Sequence, residues 1–268
     1  MMTRATLVFA AALALLHNSC WAKSHLPEGF VFLRDRDPGI LQDIRYAGQH
    51  NFVGRPIDGY QAGECVLTTP AADRLAKLQS SLAAQGLSLV VWDCYRPVRA
   101  VQEFVAWAKT ADEKMAREFY PRLPKSRLFE LGYIAAQSAH SRGSTVDVGL
   151  AARGSKWPPA YSPSKPQEPC FAARGIRYDD GTLDFGTQFD CFDPLAGPAG
   201  RKISATVAAN RRLLKTVMVK AGFKPYDEEW WHFTLADEPF ETRSFDFPIV
   251  SRSAAPAAGG NAPPHTPM

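Results

Sequence analysis

Residues 138–150 read SAHSRGSTVDVGL and combine a glycine turn with the start of a strand. In the second half, alternation places Asp147 on the polar face and three aliphatic side chains on the opposite, buried face. Gly143 permits a tight turn that folds His140 back toward Asp147. The segment therefore predicts a histidine and a carboxylate side by side at the beginning of a half-buried strand.

A second histidine lies in EWWHF (229–233), an aromatic stretch that buries His232. A buried imidazole needs a hydrogen-bond partner or a metal. Two histidines and one carboxylate make a three-ligand zinc site with a fourth position open to water, which is typical of a catalytic site. His140, Asp147 and His232 are therefore the candidate zinc ligands. Glu229 is the candidate acid or base beside the bound water.

The Glu229–His232 spacing sets a geometric condition. Residues three apart on a regular strand point to opposite faces, so Glu229 reaches the site only from a bend where the strand begins. The polar run DEE (227–229) is consistent with such a bend. Structural alternatives stay open at this level: a hydrogen-bonded histidine, an aspartate that caps a loop, or core tryptophans with incidental polar neighbours.

The stretch VVWDCYRP (90–97) ends a predicted buried strand. Pro97 holds Arg96 in an extended conformation. A guanidinium at the mouth of a strand binds a carboxylate or stabilises a developing oxyanion. The alternative for Arg96 is a surface salt bridge.

The rest of the chain interleaves helices and strands, which predicts one α+β domain without internal repeats. Apolar periodicity and glycine stops predict helices over 70–86 and 202–221 and a third one after Pro97. β-branched and aromatic runs predict strands over 87–93, 144–150 and 230–235. Residues 151–184, which contain WPPAYSPSKPQEPC, resist regular structure and predict a long excursion.

Composition narrows the function classes. The chain has 268 residues, 46% hydrophobic and 22% charged, with a formal net charge of +4. Its lysines and arginines form no basic run, which disfavours nucleic-acid binding. No apolar run reaches the roughly 18 residues that a transmembrane helix needs, so we expect no membrane span.

The two ends of the chain differ from the middle. Arg4, the apolar run 5–16 and Ala22 together are typical of a secretory signal peptide, so we expect residues 1–22 to be removed and the protein to be exported, into the periplasm. A buried N-terminal helix is the alternative, and lipid anchoring at Cys20 is a weaker one. We expect residues 23–250 to form the folded domain and the Ala-, Pro- and Gly-rich residues 251–268 to be a disordered tail.

The mature chain keeps four cysteines, an even number that fits two disulfides in an exported protein. Of the three possible connectivities, Cys65–Cys94 and Cys170–Cys191 are favoured because each closes a short stretch of chain. A four-cysteine zinc site is disfavoured because the sequence has no C-x-x-C pair. Since Cys94 lies two residues before the arginine of WDCYRP, we hypothesise that its disulfide helps to fix that arginine.

Six segments together resemble the zinc-dependent D-alanyl-D-alanine dipeptidases of the VanX type, which are LAS-type metallopeptidases. They occur in order over residues 30–250: DIRYAGQHNFVGRPIDGY (43–60), WDCYRP (92–97), SAHSRGSTVDVGL (138–150), FGTQFD (185–190), EWWHF (229–233) and FDFPI (245–249). The resemblance implies a small antiparallel sheet flanked by helices, with one zinc ion per chain at its centre. It also implies hydrolysis of D-Ala-D-Ala to two D-alanines by a zinc-activated water.

The resemblance assigns further roles by position. It makes Glu229 the general base and Arg96 the group that stabilises the tetrahedral intermediate. Asp190 falls on the acid that receives the free ammonium group of the dipeptide, and Ser138 and Tyr46 fall on residues that line this pocket. The zinc ligands that it implies are those already derived from the motifs.

Two other functions stay open. A D,D- or L,D-carboxypeptidase that trims longer peptidoglycan stem peptides uses the same zinc chemistry without the need for an ammonium-binding Asp190. A catalytically silent module that binds cell-wall peptides needs neither Glu229 nor Arg96. The excursion 151–184 is longer than in the compact members of the family, and the sequence leaves open whether it covers the pocket or widens it. The sequence does not indicate the oligomeric state.

Overall fold

The computed structural model describes residues 26–252 except residues 158, 166 and 198–202. The predicted signal peptide and all of the predicted tail after residue 252 lie outside the described residues. Among the helices of the described part, none is long and apolar enough to cross a membrane. The strands of the described part are β1 (Phe30–Phe32), β2 (Leu41–Gln42), β3 (Val66–Thr68), β4 (Leu87–Asp93), β5 (Thr145–Ala152), β6 (Phe223–Tyr226) and β7 (Glu229–Leu235).

The α-helices are α1 (Leu33–Arg36), α2 (Thr69–Ala83), α3 (Val98–Ala108), α4 (Ala116–Phe119) and α5 (Ala205–Lys220). The three predicted helices and three predicted strands are thus present, with ends shifted by a few residues. The helix α2 begins one residue earlier than predicted: its N-cap is Thr68, whose side chain makes no capping bond, and Thr69 is already helical. Pro70 occupies the first turn of α2, where its missing N–H costs nothing.

The larger sheet has the strand order β2-β4-β5-β7-β6, and β1 pairs with β3 in a separate ribbon. All neighbours in the larger sheet are antiparallel except β2, which lies parallel to β4 at one edge. On the central strand β5, Asp147 lies opposite Asp93 of β4 on one side and His232 of β7 on the other. The register of three strands therefore gathers polar side chains at one point.

Both faces of β5 are buried, so the polar face that alternation predicts is enclosed by protein. The side chains packed there include large aromatic ones, and Gly149 makes room for them. A Cβ atom at Gly149 would lie 2.6 Å from the ring of Trp92, which stacks on Phe189. Residues Leu26–Arg252 form one compact unit around this core.

Both favoured disulfides are present, Cys65–Cys94 and Cys170–Cys191, with Cα atoms 5.4 and 5.5 Å apart. The first ties β3 to the end of β4. The second ties the excursion to the segment that follows FGTQFD. Apart from its first residues, which finish β5, the described part of the excursion contains no helix or strand, as predicted.

Candidate active site

A short 3-10 helix, Ala139–Arg142, presents His140 to the centre of the sheet. The Ser138 hydroxyl oxygen caps the helix by accepting a hydrogen bond from the His140 backbone N–H at 3.3 Å. Gly143 ends it with φ +83°, a left-handed conformation that favours glycine, and a Cβ there would lie 2.2 Å from the ring of Phe30. The turn that the sequence predicted is therefore enforced both by the backbone and by packing.

A backbone carbonyl fixes the orientation of the His140 ring. Its Nδ1 lies 2.7 Å from the Cys94 carbonyl oxygen, which can only accept, so Nδ1 carries the proton. Nε2 is then left with a lone pair, 3.4 Å from Asp147 Oδ1. This arrangement is the one that metal-binding histidines use to orient the coordinating nitrogen.

His232 completes a cluster with His140 and Asp147. Its Nδ1 lies 3.2 Å from Asp147 Oδ1 and 3.3 Å from His140 Nε2. One donor atom from each residue lies within 4.8 Å of the other two. Asp147 Oδ1 is buried without a conventional hydrogen-bond partner, although it faces both imidazoles. A buried carboxylate oxygen opposite two ring nitrogens fits a divalent cation with nitrogen and oxygen ligands, and zinc takes this ligand set.

The electrostatics of the cluster agree with that fit. Burial opposes the charge on His232, but Asp147 and Glu229 outweigh burial and raise the pKa of His232 to about 9. Burial also opposes ionisation of Asp147, yet the two histidines hold the pKa of this carboxyl below its usual range. The carboxylates therefore favour positive charge next to His232, which suits a bound metal ion.

Glu229 meets the geometric condition that the sequence set. It is the first residue of β7, and the pairing of β6 with β7 shifts register between Pro225 and Tyr226, directly opposite Glu229. Because of this bend, Glu229 Oε2 lies 3.3 Å from His232 Nδ1 despite the spacing of three residues. Glu229 is thus beside the cluster and partly accessible from the cavity.

Arg96 is held inside the protein, so the alternative of a surface salt bridge is wrong. Its guanidinium bonds Asp93 through Nε at 2.9 Å and through Nη2 at 2.8 Å, and Nη2 lies 3.9 Å from Asp147 Oδ2. It also lies over the Tyr46 ring, 5.1 Å from the centroid. Burial opposes the charge, but Asp93 outweighs burial and keeps the pKa of Arg96 well above its usual value.

Asp93 has no role in the sequence analysis, although it lies in the quoted motif WDCYRP. It is fully buried and accepts a hydrogen bond from the Tyr60 hydroxyl at 2.6 Å in addition to those from Arg96. Its Oδ2 lies 3.4 Å from His140 Nδ1. The available signal was an acid three residues before the arginine at the end of a buried strand.

Asp190 and Tyr46 face the same cavity. The Tyr46 hydroxyl donates to Asp190 Oδ2 at 2.7 Å, and Asp190 is 5% exposed. In the described part of the chain, Asp190 is the non-glycine residue with a left-handed φ, +59°. Burial first, and the charge of Asp147 second, raise the pKa of Asp190 well above its usual value. A cation brought next to Asp190 would relieve both effects.

One cavity of about 500 Å³ connects these groups. Its lining includes Tyr46, Arg96, Ser138, His140, Asp147, Asp190, Glu229 and His232. Further lining residues come from the segments 132–139, 224–226 and 234–241. None of the described residues of the excursion 151–184 lines the cavity, so this part of the excursion neither covers nor widens it. The sequence left this point open because the length of a segment does not show on which side of a sheet it packs.

Comparison with known proteins identifies the family of this chain. The family model Peptidase_M15, described as D-ala-D-ala dipeptidase, matches residues 27–156 and 168–250. A D-alanyl-D-alanine dipeptidase of Enterococcus faecium is 36% identical over 82% of this chain and 98% of its own length. A D-alanyl-D-alanine dipeptidase of Enterococcus faecalis is 34% identical over 84% of this chain and 100% of its own length. One from Streptomyces coelicolor is 35% identical over 82% of this chain and 98% of its own length.

The fold and the site define a metallopeptidase. Within that class, the chain belongs to the D-ala-D-ala dipeptidase family Peptidase_M15, whose model covers most of the described domain. The predicted α+β fold with a small, largely antiparallel sheet is thereby confirmed. Residues 157–167 lie between the two matched segments.

Proposed function

We propose that this protein is an exported zinc dipeptidase that hydrolyses D-alanyl-D-alanine to two molecules of D-alanine. The observation that carries the proposal is that a single cavity is lined both by the histidine–aspartate cluster and by the buried carboxyl of Asp190. A free dipeptide has a scissile carbonyl for the first and an ammonium group for the second.

His140, Asp147 and His232 would hold one zinc ion per chain. Bound zinc supplies Lewis acidity, which polarises a carbonyl and lowers the pKa of water toward about 7. The Cys94 carbonyl and Asp93 orient the His140 ring so that its Nε2 lone pair faces the cluster. These outer contacts fix Nε2 as the ring nitrogen of His140 that faces the proposed metal site.

Glu229 is the proposed general base. It takes a proton from the attacking water as the water oxygen bonds to the carbonyl carbon, and it delivers a proton to the leaving nitrogen as the C–N bond breaks. Arg96, fixed by Asp93, faces the oxygen on which negative charge develops. The products are two D-alanines, so the atoms of one dipeptide and one water are accounted for.

Asp190 is the proposed receptor for the ammonium group, with Tyr46 as its hydrogen-bond partner and Ser138 at the pocket wall. A blocked N-terminus would leave the Asp190 carboxyl buried without a cation, which is unfavourable. Selectivity for the free dipeptide follows from the loss of this pairing. A carboxypeptidase that acts on longer stem peptides has no such requirement.

Export rests on the predicted signal peptide, residues 1–22, and on two disulfides, which persist in oxidising compartments. The test is expression of the full chain in a Gram-negative host, followed by fractionation and N-terminal sequencing. We expect a periplasmic protein that begins near Lys23. Retention in the cytoplasm with residue 1 intact would contradict export, and lipid attachment would indicate the alternative anchor at Cys20.

The test of the activity is release of D-alanine from D-Ala-D-Ala beside N-acetyl-D-Ala-D-Ala. We expect release from the free dipeptide alone, loss of activity with a chelator and recovery with zinc. Release mainly from the blocked substrate would contradict the dipeptidase and favour a D,D-carboxypeptidase. No release from either substrate by the zinc-loaded protein would favour a peptide-binding module.

A further inference from the structure

A second polar cluster is buried on the side of the fold that the excursion covers. It consists of Arg45, His50 and Glu118, each no more than 6% exposed. Arg45 Nη1 lies 3.0 Å from His50 Nδ1, and His50 Nε2 lies 2.7 Å from Glu118 Oε1. Because arginine only donates, Nδ1 accepts, and the neutral ring donates from Nε2 to Glu118.

The charges of this cluster are matched without a metal. Arg45 Nε donates to Asp43 Oδ2 at 2.5 Å, so the guanidinium already has an anionic partner. Burial and the neighbouring Arg45 keep the pKa of His50 below its usual range, and burial raises the pKa of Glu118 to about 8. Both pKa shifts favour the uncharged forms of His50 and Glu118, which are joined by the hydrogen bond between them.

Both ends of the cluster continue into the proposed ammonium pocket. Arg45 immediately precedes Tyr46, whose hydroxyl binds Asp190. On the other side, the Gln188 amide, oriented with its nitrogen toward Glu118, donates to Glu118 Oε1 at 3.0 Å and accepts from the Tyr178 N–H at 3.1 Å. Gln188 lies two residues before Asp190. Glu118 thus connects the chain segments that carry the two residues of the pocket.

The same side of the cluster is covered by Tyr161, which belongs to the segment 157–167 outside the family match. Its ring stacks on His50 with centroids 3.9 Å apart and an interplanar angle of 9°. Tyr178, also from the excursion, contacts the edge of His50 at 4.3 Å. The excursion therefore packs on the residue that links Arg45 to Glu118.

The backbone of Asp190 is strained and has to be held in place by its surroundings. A left-handed φ on a non-glycine residue is costly and persists only where the surroundings hold it. The holding contacts are the Cys170–Cys191 disulfide, the Gln188 N–H bond to the Cys170 carbonyl at 2.9 Å, and the Gln188 side chain on Glu118.

We propose that Glu118 and His50 are positioning residues for the ammonium pocket and that Tyr161 holds them in place. The proposal rests on the proposed function of Asp190. None of the three touches the substrate. They fix Tyr46 through Arg45 and Asp190 through Gln188, so they set how tightly the dipeptide binds and leave the chemistry at Glu229 unchanged.

The test compares kcat and KM for D-Ala-D-Ala in four zinc-loaded variants of the full mature protein. Glu118→Ala removes the link, and we expect KM to rise about tenfold with kcat within about twofold, the pattern of lost binding. Glu118→Gln keeps an acceptor for His50 and Gln188, so KM should return to near the wild-type value. Tyr161→Ala should raise KM about threefold through loss of the stack. Ile176→Ala, an exposed excursion residue, is the matched control and should change nothing.

An unchanged KM in both Glu118→Ala and Tyr161→Ala would overturn the positioning role. A fall in kcat with loss of zinc would also overturn it, because it would show a general structural effect. If Glu118→Ala does not fold, Tyr161→Ala decides, since that side chain is partly exposed. Inactivity of the wild type toward the dipeptide would overturn the proposed function and this inference together, whereas an active wild type with unaffected variants overturns the inference alone.

Discussion

The protein buries two clusters in which histidine contacts a carboxylate, and their chemistry differs. In the first, His140 and His232 face Asp147, and the pKa of the aspartate lies below its usual range. In the second, His50 faces Glu118, and burial raises the pKa of the glutamate to about 8. The same two residue types thus shift the pKa of the carboxyl in opposite directions in the two places.

The difference comes from the neighbours. Around Asp147, two imidazole nitrogens point inward, so the site stabilises a cation. At His50, Arg45 donates a hydrogen bond to Nδ1 and so uses the lone pair of this ring nitrogen. The positive charge of Arg45 is in turn paired with Asp43. A histidine whose lone pair is already used cannot bind a metal. A histidine beside a carboxylate therefore does not by itself identify a metal site. The partners of both ring nitrogens must be known, because one nitrogen must keep a free lone pair.

Replacing the carboxylate by an amide should have its largest effect at the first cluster, where the carboxylate is the proposed metal ligand. Asp147→Asn removes the negative ligand, and we expect loss of bound zinc and of activity down to the level measured with chelator. Metal content by atomic absorption and D-alanine release are the measurements. A variant that keeps zinc and turnover would show that Asp147 is not a ligand.

Glu229→Ala separates the base from the ligands. We expect kcat to fall by about 10²–10⁴ because general-base assistance is lost, while zinc stays bound. Steady-state kinetics with a parallel zinc determination make the test. Retention of the wild-type rate would rule out the mechanism proposed for Glu229, and loss of zinc would place this side chain among the ligands.

The disulfide at the end of β4 supports the first cluster, since Cys94 lends its carbonyl oxygen to His140. Replacing both Cys65 and Cys94 by serine should lower the free energy of unfolding by about 2–4 kcal/mol through loss of the cross-link. We also expect a lower kcat, because His140 and Arg96 flank this strand end. Chemical denaturation and kinetics are the measurements, with Cys170→Ser/Cys191→Ser as the matched control, which should raise KM instead. An unchanged melting point and rate would dispose of the role of Cys94.

Glu118→Gln should have the smallest effect of these changes, and its effect is on the pH dependence of stability at the second cluster. In the wild type, Glu118 keeps its proton in the native state up to a pKa of about 8, whereas the unfolded chain loses it above the ordinary pKa of 4.5. Glu118 therefore contributes fully to the free energy of unfolding below pH 4.5, and this contribution is lost as the pH rises to about 8. The amide cannot titrate, so the variant should lose this slope and gain relative stability above pH 8. The groups around Glu118 are His50, Gln188, Tyr161, Tyr178 and Arg45.

Melting temperatures between pH 5 and 9 test this expectation. His50, whose pKa lies below its usual range, contributes the opposite slope below pH 6.5 in both proteins and so serves as an internal reference. Parallel curves for wild type and variant would show that Glu118 is ionised in the native state.

Much of the site was readable because its motifs are local. Alternation and the glycine turn placed His140 beside Asp147, and the spacing of Glu229 and His232 required the bend that the shifted register of β6 and β7 supplies. The role of Asp93 and the second cluster were not predicted. The spacing of Asp93 and Arg96 was a local signal, but the Tyr60 partner of Asp93 and the Glu118 partner of His50 lie 33 and 68 residues away, so no local pattern predicts those two contacts.

The sequence by itself determined the interleaved α+β pattern, both cysteine pairings, the resemblance to zinc dipeptidases and the residues of the proposed zinc site. Those features depend on periodicity, turn chemistry, short motifs and the order of the motifs along the chain, and each of these can be read from the sequence one segment at a time. Only the tertiary structure decided that Asp93 also binds Tyr60, that the excursion packs on His50 and away from the cavity, and in which direction the pKa of each buried carboxyl shifts. These depend on burial and on charges brought together across the chain, and distance in space is not encoded in distance along the sequence.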